Sequence, residues 1–204
     1  MSIELLRTCF WIEAIRTATC SANLSQLSKN VGEIEKLKLG KEYPTQIKWY
    51  NYQQGNPKPS SRIISHIEIL VPGSSSYYHH PLWQALQLTK HSLVDVSKLF
   101  KSLGPDVQVF VCEYQTLLRI VHFSPYRFYL GVIPELIKIG SLDALTALFL
   151  YWLESSKNSK EDQVKLAKAI YTVLLMIRVD LVPKLAGSLF DIFRQVVFEK
   201  TDWQ

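Results

Sequence analysis

No helix can run from Gly55 to Pro59. In Gly55-Asn56-Pro57-Lys58-Pro59 two prolines remove backbone donors and crowd the preceding turn. The glycine accepts the left-handed conformation that closes a helix. A polar, aromatic segment must therefore stop at Gly55. A second helix restarts at Ser60 or Ser61, whose hydroxyls suit an N-cap. Its apolar residues Ile63, Ile64, Ile67 and Leu70 form one stripe along Arg62–Leu70, and Pro72-Gly73 ends it. Upstream, Pro44 fits a first helical turn, where its missing N–H has no intrahelical partner. A helix from Thr45 through Trp49 and Tyr52 to Gly55 is expected.

Similar punctuation divides the rest of the chain. Leu5, Leu6, Cys9, Phe10 and Ile12 fall at helical spacing, which predicts a helix over Ile3–Ala18, although Glu13 and Arg16 interrupt the stripe. Ser21 or Asn23 can cap a short helix over Leu24–Asn30, ended by Gly32. Residues 33–42 are charged, hold Gly40 and suit a helical turn with a loop. Residues 73–81 are small and polar and read as a joint. Leu82–Leu103 is expected as one helix, broken by Gly104-Pro105. Residues 107–123 mix strand-favouring valines and isoleucines with a helical centre; helix is the reading adopted. Tyr126–Ile139 follows, with a kink or fresh start at Pro134. Ser141 caps a helix to Glu154, Ser159 caps one to Arg178, and Asp180 caps a last one to about Lys200. The last three are joined by short turns, so an antiparallel helical bundle is expected. The fold class is all-α, divided as 1–73 helix-turn-helix-like, 74–81 joint and 82–204 bundle.

Composition narrows the function classes. The chain has 204 residues, 48% of them hydrophobic, enough for a sizeable core. Its net charge of +5 permits a nucleic-acid or acidic partner without requiring one. The N-terminus carries Glu4, Arg7, Glu13 and Arg16 where a signal peptide would be apolar, and the longest apolar-rich run, Ala144–Leu153, is too short to span a bilayer. A cytoplasmic protein without membrane contact is expected. Cys9, Cys20 and Cys112 are far apart, fit no metal spacing and suit a reducing interior, with Cys9 and Cys20 read as buried thiols. Neither phosphate-loop, dinucleotide, zinc-protease nor hydrolase signatures occur. Of the five histidines only His79 and His80 cluster, and adjacent residues chelate poorly. No enzyme, cofactor or metal is expected.

The order of Thr45–Gly55, the proline loop and Arg62–Leu70 resembles the back half of a phage-repressor-type helix-turn-helix domain, over residues 24–73. The resemblance implies that Thr45–Gly55 is the helix that reads the major groove and that Leu24–Asn30 braces the backbone. The implied DNA-binding residues are Thr45, Gln46, Lys48, Asn51, Asn56, Lys58, Ser60 and Arg62. Gln46 and Asn51 suit bidentate contacts to adenine, and Lys48, Lys58 and Arg62 suit phosphate or guanine. The N-terminus of the Ser60 helix suits a phosphate. Ile47 and Tyr50 or Trp49 would face the core. Between residues 41 and 66 the charged side chains are Lys41, Lys48, Lys58 and Arg62 against Glu42 alone. The interval from Val31 to Tyr43 is longer than the turn of such domains. More broadly, Trp49-Tyr50-Asn51-Tyr52, Gly55, Pro59, Pro72-Gly73-Ser74 and His80-Pro81-Leu82-Trp83 resemble a pattern in a group of bacterial proteins with no assigned activity.

The resemblance implies a repressor-type DNA-binding protein with double-stranded DNA as partner and a C-terminal half that dimerises or takes a protein partner. The competing expectation is a non-catalytic protein-interaction module of a bacterial defence, toxin-neutralising or mobile-element system. Its anchors would be Tyr126, Phe128, Tyr129, Tyr151 and Trp152. Plain packing in a helical core is the preferred reading of the same aromatics.

Overall fold

The structure is a computed structural model that describes residues 1–40, 46–88, 93–111, 114–115, 120–121, 131–155, 160–180 and 183–203. These residues are all-α apart from one pair of two-residue strands. They divide into two compact units, Met1–His80 and Pro81–Gln204.

The first unit is built around α1 (Ile3–Ala18). Ser2 caps it, its hydroxyl accepting from Leu5 N–H at 3.2 Å. Leu6, Cys9, Phe10, Trp11, Ile12 and Ile15 are all buried, so the helix is enclosed on more than one side. The break in its apolar stripe has a local cause. Arg16 bonds Glu13 and donates to Ser21 O at 2.8 Å, tying the last turn to the chain that follows.

Helix α2 (Leu24–Leu39) is capped by Asn23, whose side chain accepts from Gln26 N–H at 2.9 Å. It passes through Gly32, where a stop was expected, and absorbs most of the segment read as turn and loop. Glycine inside a helix costs about 1 kcal/mol, and burial of the apolar Leu27 and Val31 offsets it. The stop falls at Gly40, which is left-handed at φ 64. Lys38 Nζ donates to the carbonyls of Ile69 and Leu70, at 3.3 and 2.9 Å, closing the end of α4 (Ser61–Leu70). Glu35 is fully buried, with His66 Nε2 of α4 at 3.0 Å.

Residues 74–78, expected in a joint, form α5 (Ser74–Tyr78), which packs on α1 through the buried Tyr78. Glu68 makes that short helix possible. Its carboxylate accepts from Gly73 N–H at 2.6 Å, Ser75 N–H at 2.7 Å and Ser74 Oγ at 3.3 Å.

The second unit centres on α10 (Leu142–Ser155), buried at every position from Ala144 to Trp152. Ser141 caps it as expected, accepting from Ala144 N–H at 3.2 Å. Around α10 lie α6 (Pro81–Gln87), α7 (Leu93–Lys101), α8 (Pro105–Val111), α9 (Val132–Ile139) and α11 (Lys160–Asp180); α12 (Pro183–Val196) packs on α11, and a 3-10 turn, Phe198–Lys200, follows. The single helix expected over Leu82–Leu103 is two, α6 and α7. The helix expected over 107–123 ends at Val111, and two short strands, β1 (Tyr114–Gln115) and β2 (Ile120–Val121), pair antiparallel beyond it. Asp180 is the last residue of α11, not the cap of α12. The Ser159 cap and the start expected at Tyr126 lie outside the described residues. Phe149 joins the core through Phe193, with ring centroids at 5.5 Å, and Trp152 Nε1 donates to Thr201 Oγ1 at 3.2 Å.

The Glu68 carboxylate gives a test of the first unit. Partial burial raises its pKa, but the bonds from Ser75, Gly73 and Ser74 outweigh that and hold it below its ordinary value of 4.5. A depressed folded pKa stabilises above the unfolded value and is lost as pH falls through the folded one. Glu68→Gln should therefore cost about 1 kcal/mol at neutral pH, as for a lost helix cap. The gap from the parent in urea unfolding should narrow below about pH 4.5. A gap that does not narrow as the pH falls would assign the loss to something other than the charge.

Candidate nucleic-acid interface

The edge expected to face DNA is residues 46–62. Its anchor is α3 (Trp49–Gln53), five residues long, with Trp49 and Tyr52 buried. Trp49 meets Trp11 at 5.7 Å between ring centroids, and Cys9 Sγ lies 3.8 Å from Gln53 O. Burial also raises the Tyr52 hydroxyl pKa above its ordinary value. The helix expected from Thr45 thus begins four residues later. Gln46 and Lys48 precede it, Lys48 at its N-cap position, and Thr45 lies outside the described residues. With helical spacing Trp49 and Tyr52 take the inward positions, so of the two residues offered for the core Trp49 is buried and Tyr50 stands outward, 66% exposed. Ile47 packs partly buried against the core.

Gly55 ends the segment in the left-handed region at φ 79. Asn51 O accepts from Asn56 N–H at 3.0 Å, which folds the turn back on α3. Pro59 is buried, and Ser60 caps α4, accepting from Ile63 N–H at 3.4 Å. The α4 stripe is as expected, with Ile64, Ile67 and Leu70 buried and Ile63 partly so.

The turn brings the expected contact residues to the surface. Gln46, Lys48, Asn51, Asn56, Lys58, Ser60 and Arg62 are all exposed. Their electrostatic states differ. Lys58 Nζ lies 2.9 Å from Glu4 Oε2, which also takes Arg7 at 3.1 Å. Lys48 and Arg62 have no acidic partner among the described residues. Glu4 is thus a part of this edge that the pattern did not single out. It sits 54 residues from Lys58, and no local signal joins them. Glu68 was open to prediction, being a carboxylate just upstream of a Gly-Ser-Ser helix start.

Other expected sites resolve differently. Cys9 is buried, but Cys20 is exposed at φ 50. His79 is exposed and ends α5, its ring 5.2 Å from that of Tyr78. Tyr151 and Trp152, offered as interface anchors, are buried in the second unit's core, because α10 is enclosed all round. Tyr126, Phe128, Tyr129 and Cys112 lie outside the described residues. Among the described residues no helix is long and apolar enough to cross a membrane. Nor do three or more metal-ligating side chains cluster among them. Comparison with protein-family models, curated proteins and solved structures finds no match to this chain.

Gly55 tests how firmly the edge is set. A Cβ there would sit 3.2 Å from Leu5 Cδ1 in a left-handed backbone, whereas at Gly40, also left-handed, it would meet nothing within 4 Å. Gly55→Ala should cost about 1–2 kcal/mol and Gly40→Ala about 1 kcal/mol in urea unfolding. Equal costs would mean that the Leu5 contact does not constrain the turn.

Proposed function

We propose that the first unit binds double-stranded DNA through the edge formed by α3, the proline turn and the start of α4. The protein then acts as a repressor-type regulator whose second unit dimerises or takes a partner. The observation that carries this reading is the joint exposure of Gln46, Lys48, Asn51, Asn56 and Arg62, with Lys48 and Arg62 free of acidic partners among the described residues. The N–H groups of Ser61 and Arg62, in the first turn of α4, have no intrahelical partner and suit a phosphate oxygen. The five residues of α3 span only about 7 Å. Phosphate contact by Lys48 and Arg62 therefore carries most of the affinity, with Asn51 and Gln46 as the candidates for base edges. Lys58 contributes less, because it must first leave Glu4.

A protein partner is the second reading. The observation that favours it is the exposure of Leu37 (86%) and Ile69 (58%), which flank the Lys38 contact between α2 and α4.

Titration of a labelled duplex at two salt concentrations separates the readings. The DNA reading predicts affinity that falls with salt and a log–log slope reduced by about one unit in Lys48→Glu and in Arg62→Glu. Lys58→Glu should weaken binding less than either. No binding at low salt, or binding indifferent to both charge reversals, contradicts it.

A further inference from the structure

We infer that the second unit binds a small amphipathic monoanion, an aryl or acyl body carrying one carboxylate or sulfonate, in a groove between α11 and the C-terminal 3-10 turn. The inference is independent of DNA binding. The groove has a volume of about 540 Å³ and is lined by Lys168, Tyr171, Thr172, Phe198 and Trp203. That is the size range of small-ligand sites. Tyr171 is 45% exposed and Trp203 51%, although large aromatics are ordinarily more buried. Their rings nonetheless pack against other rings. Phe198 sits 6.0 Å from Tyr171 and 6.4 Å from Trp203, and Phe190 backs both Tyr171 and Phe198 at 5.9 and 5.8 Å.

The polar groups decide the ligand's charge. Trp203 Nε1 donates to Phe198 O at 2.9 Å, so its indole offers a ligand only apolar surface. Thr172 Oγ1 donates to Lys168 O at 3.0 Å. The two nearest lysines before it on α11 are occupied: Lys160 pairs with Asp202 at 2.7 Å and Lys165 with Glu161. Lys168 has no acidic partner among the described residues, and its helical neighbours Val164, Lys165, Tyr171 and Thr172 carry no carboxylate. One uncommitted ammonium at the edge of an aromatic trough complements one negative charge on an apolar body.

The test is a fluorescence titration of the full chain at low ionic strength. The probes are 8-anilinonaphthalene-1-sulfonate and its uncharged counterpart N-phenyl-1-naphthylamine. The sulfonate should bind more tightly than the amine and be displaced by dodecanoate at a several-fold lower concentration than by dodecanol. Lys168→Glu should lower the sulfonate's affinity about five-fold, the range of an exposed charge pair, and leave the amine's unchanged. Trp203→Ala should weaken both. Both side chains are exposed, and circular dichroism verifies that the variants fold. Equal binding of the two probes, no effect of Lys168→Glu on the sulfonate, or no effect of Trp203→Ala would overturn the inference.

Discussion

Trp11 lies fully buried on α1, its ring 5.7 Å from Trp49 and 5.8 Å from Tyr78. These contacts hold two segments that have little stability of their own. Helices α3 and α5 are five residues each, far below the length at which an isolated helix persists in water. Each is ordered by the aromatic side chain it buries beside Trp11. Arg7 adds to the α5 contact, donating to Tyr78 Oη at 3.0 Å with its guanidinium 4.3 Å from the ring centre. The outward edge from Gln46 to Arg62 exists because Trp49 and Tyr52 point inward.

The same arrangement sorts the charges of the first unit. Arg7 and Lys58 share Glu4, Arg16 is held by Glu13, Lys29 lies 4.0 Å from Glu33, and Lys38 is spent on the carbonyls that end α4. Lys36, Lys48 and Arg62 remain without acidic partners among the described residues. A net charge spread evenly through the sequence thus becomes uneven at the surface. Two of the three uncommitted cations lie on the α3–α4 edge. The second unit shows the same sorting, with Lys160 and Lys165 paired and Lys168 left at the aromatic groove.

What was legible in the sequence was what local chemistry decides. Ser60 and Ser141 cap where their hydroxyls reach an N–H three residues on, Gly55 turns left-handed, and α1 keeps its expected bounds. What tertiary contacts decide was not legible. Gly32 does not stop α2, because Leu27 and Val31 just before it are buried in the core. The helix expected from Thr45 starts at Trp49, where the first indole enters the core. Residues 74–78, small and polar, become helix because Glu68 and Tyr78 secure both ends. At the candidate site the exposure of the polar residues followed from the pattern, but the pairing of Lys58 with Glu4 did not.

We propose that burial of Trp49 and Tyr52 presents a surface that takes duplex DNA. Amide hydrogen exchange of the full chain, with and without a saturating duplex at low salt, tests it most directly. DNA should slow exchange at residues 46–51 and at the first turn of α4, with α10 unchanged. Unchanged exchange over residues 46–63, or protection confined to the second unit, would contradict it.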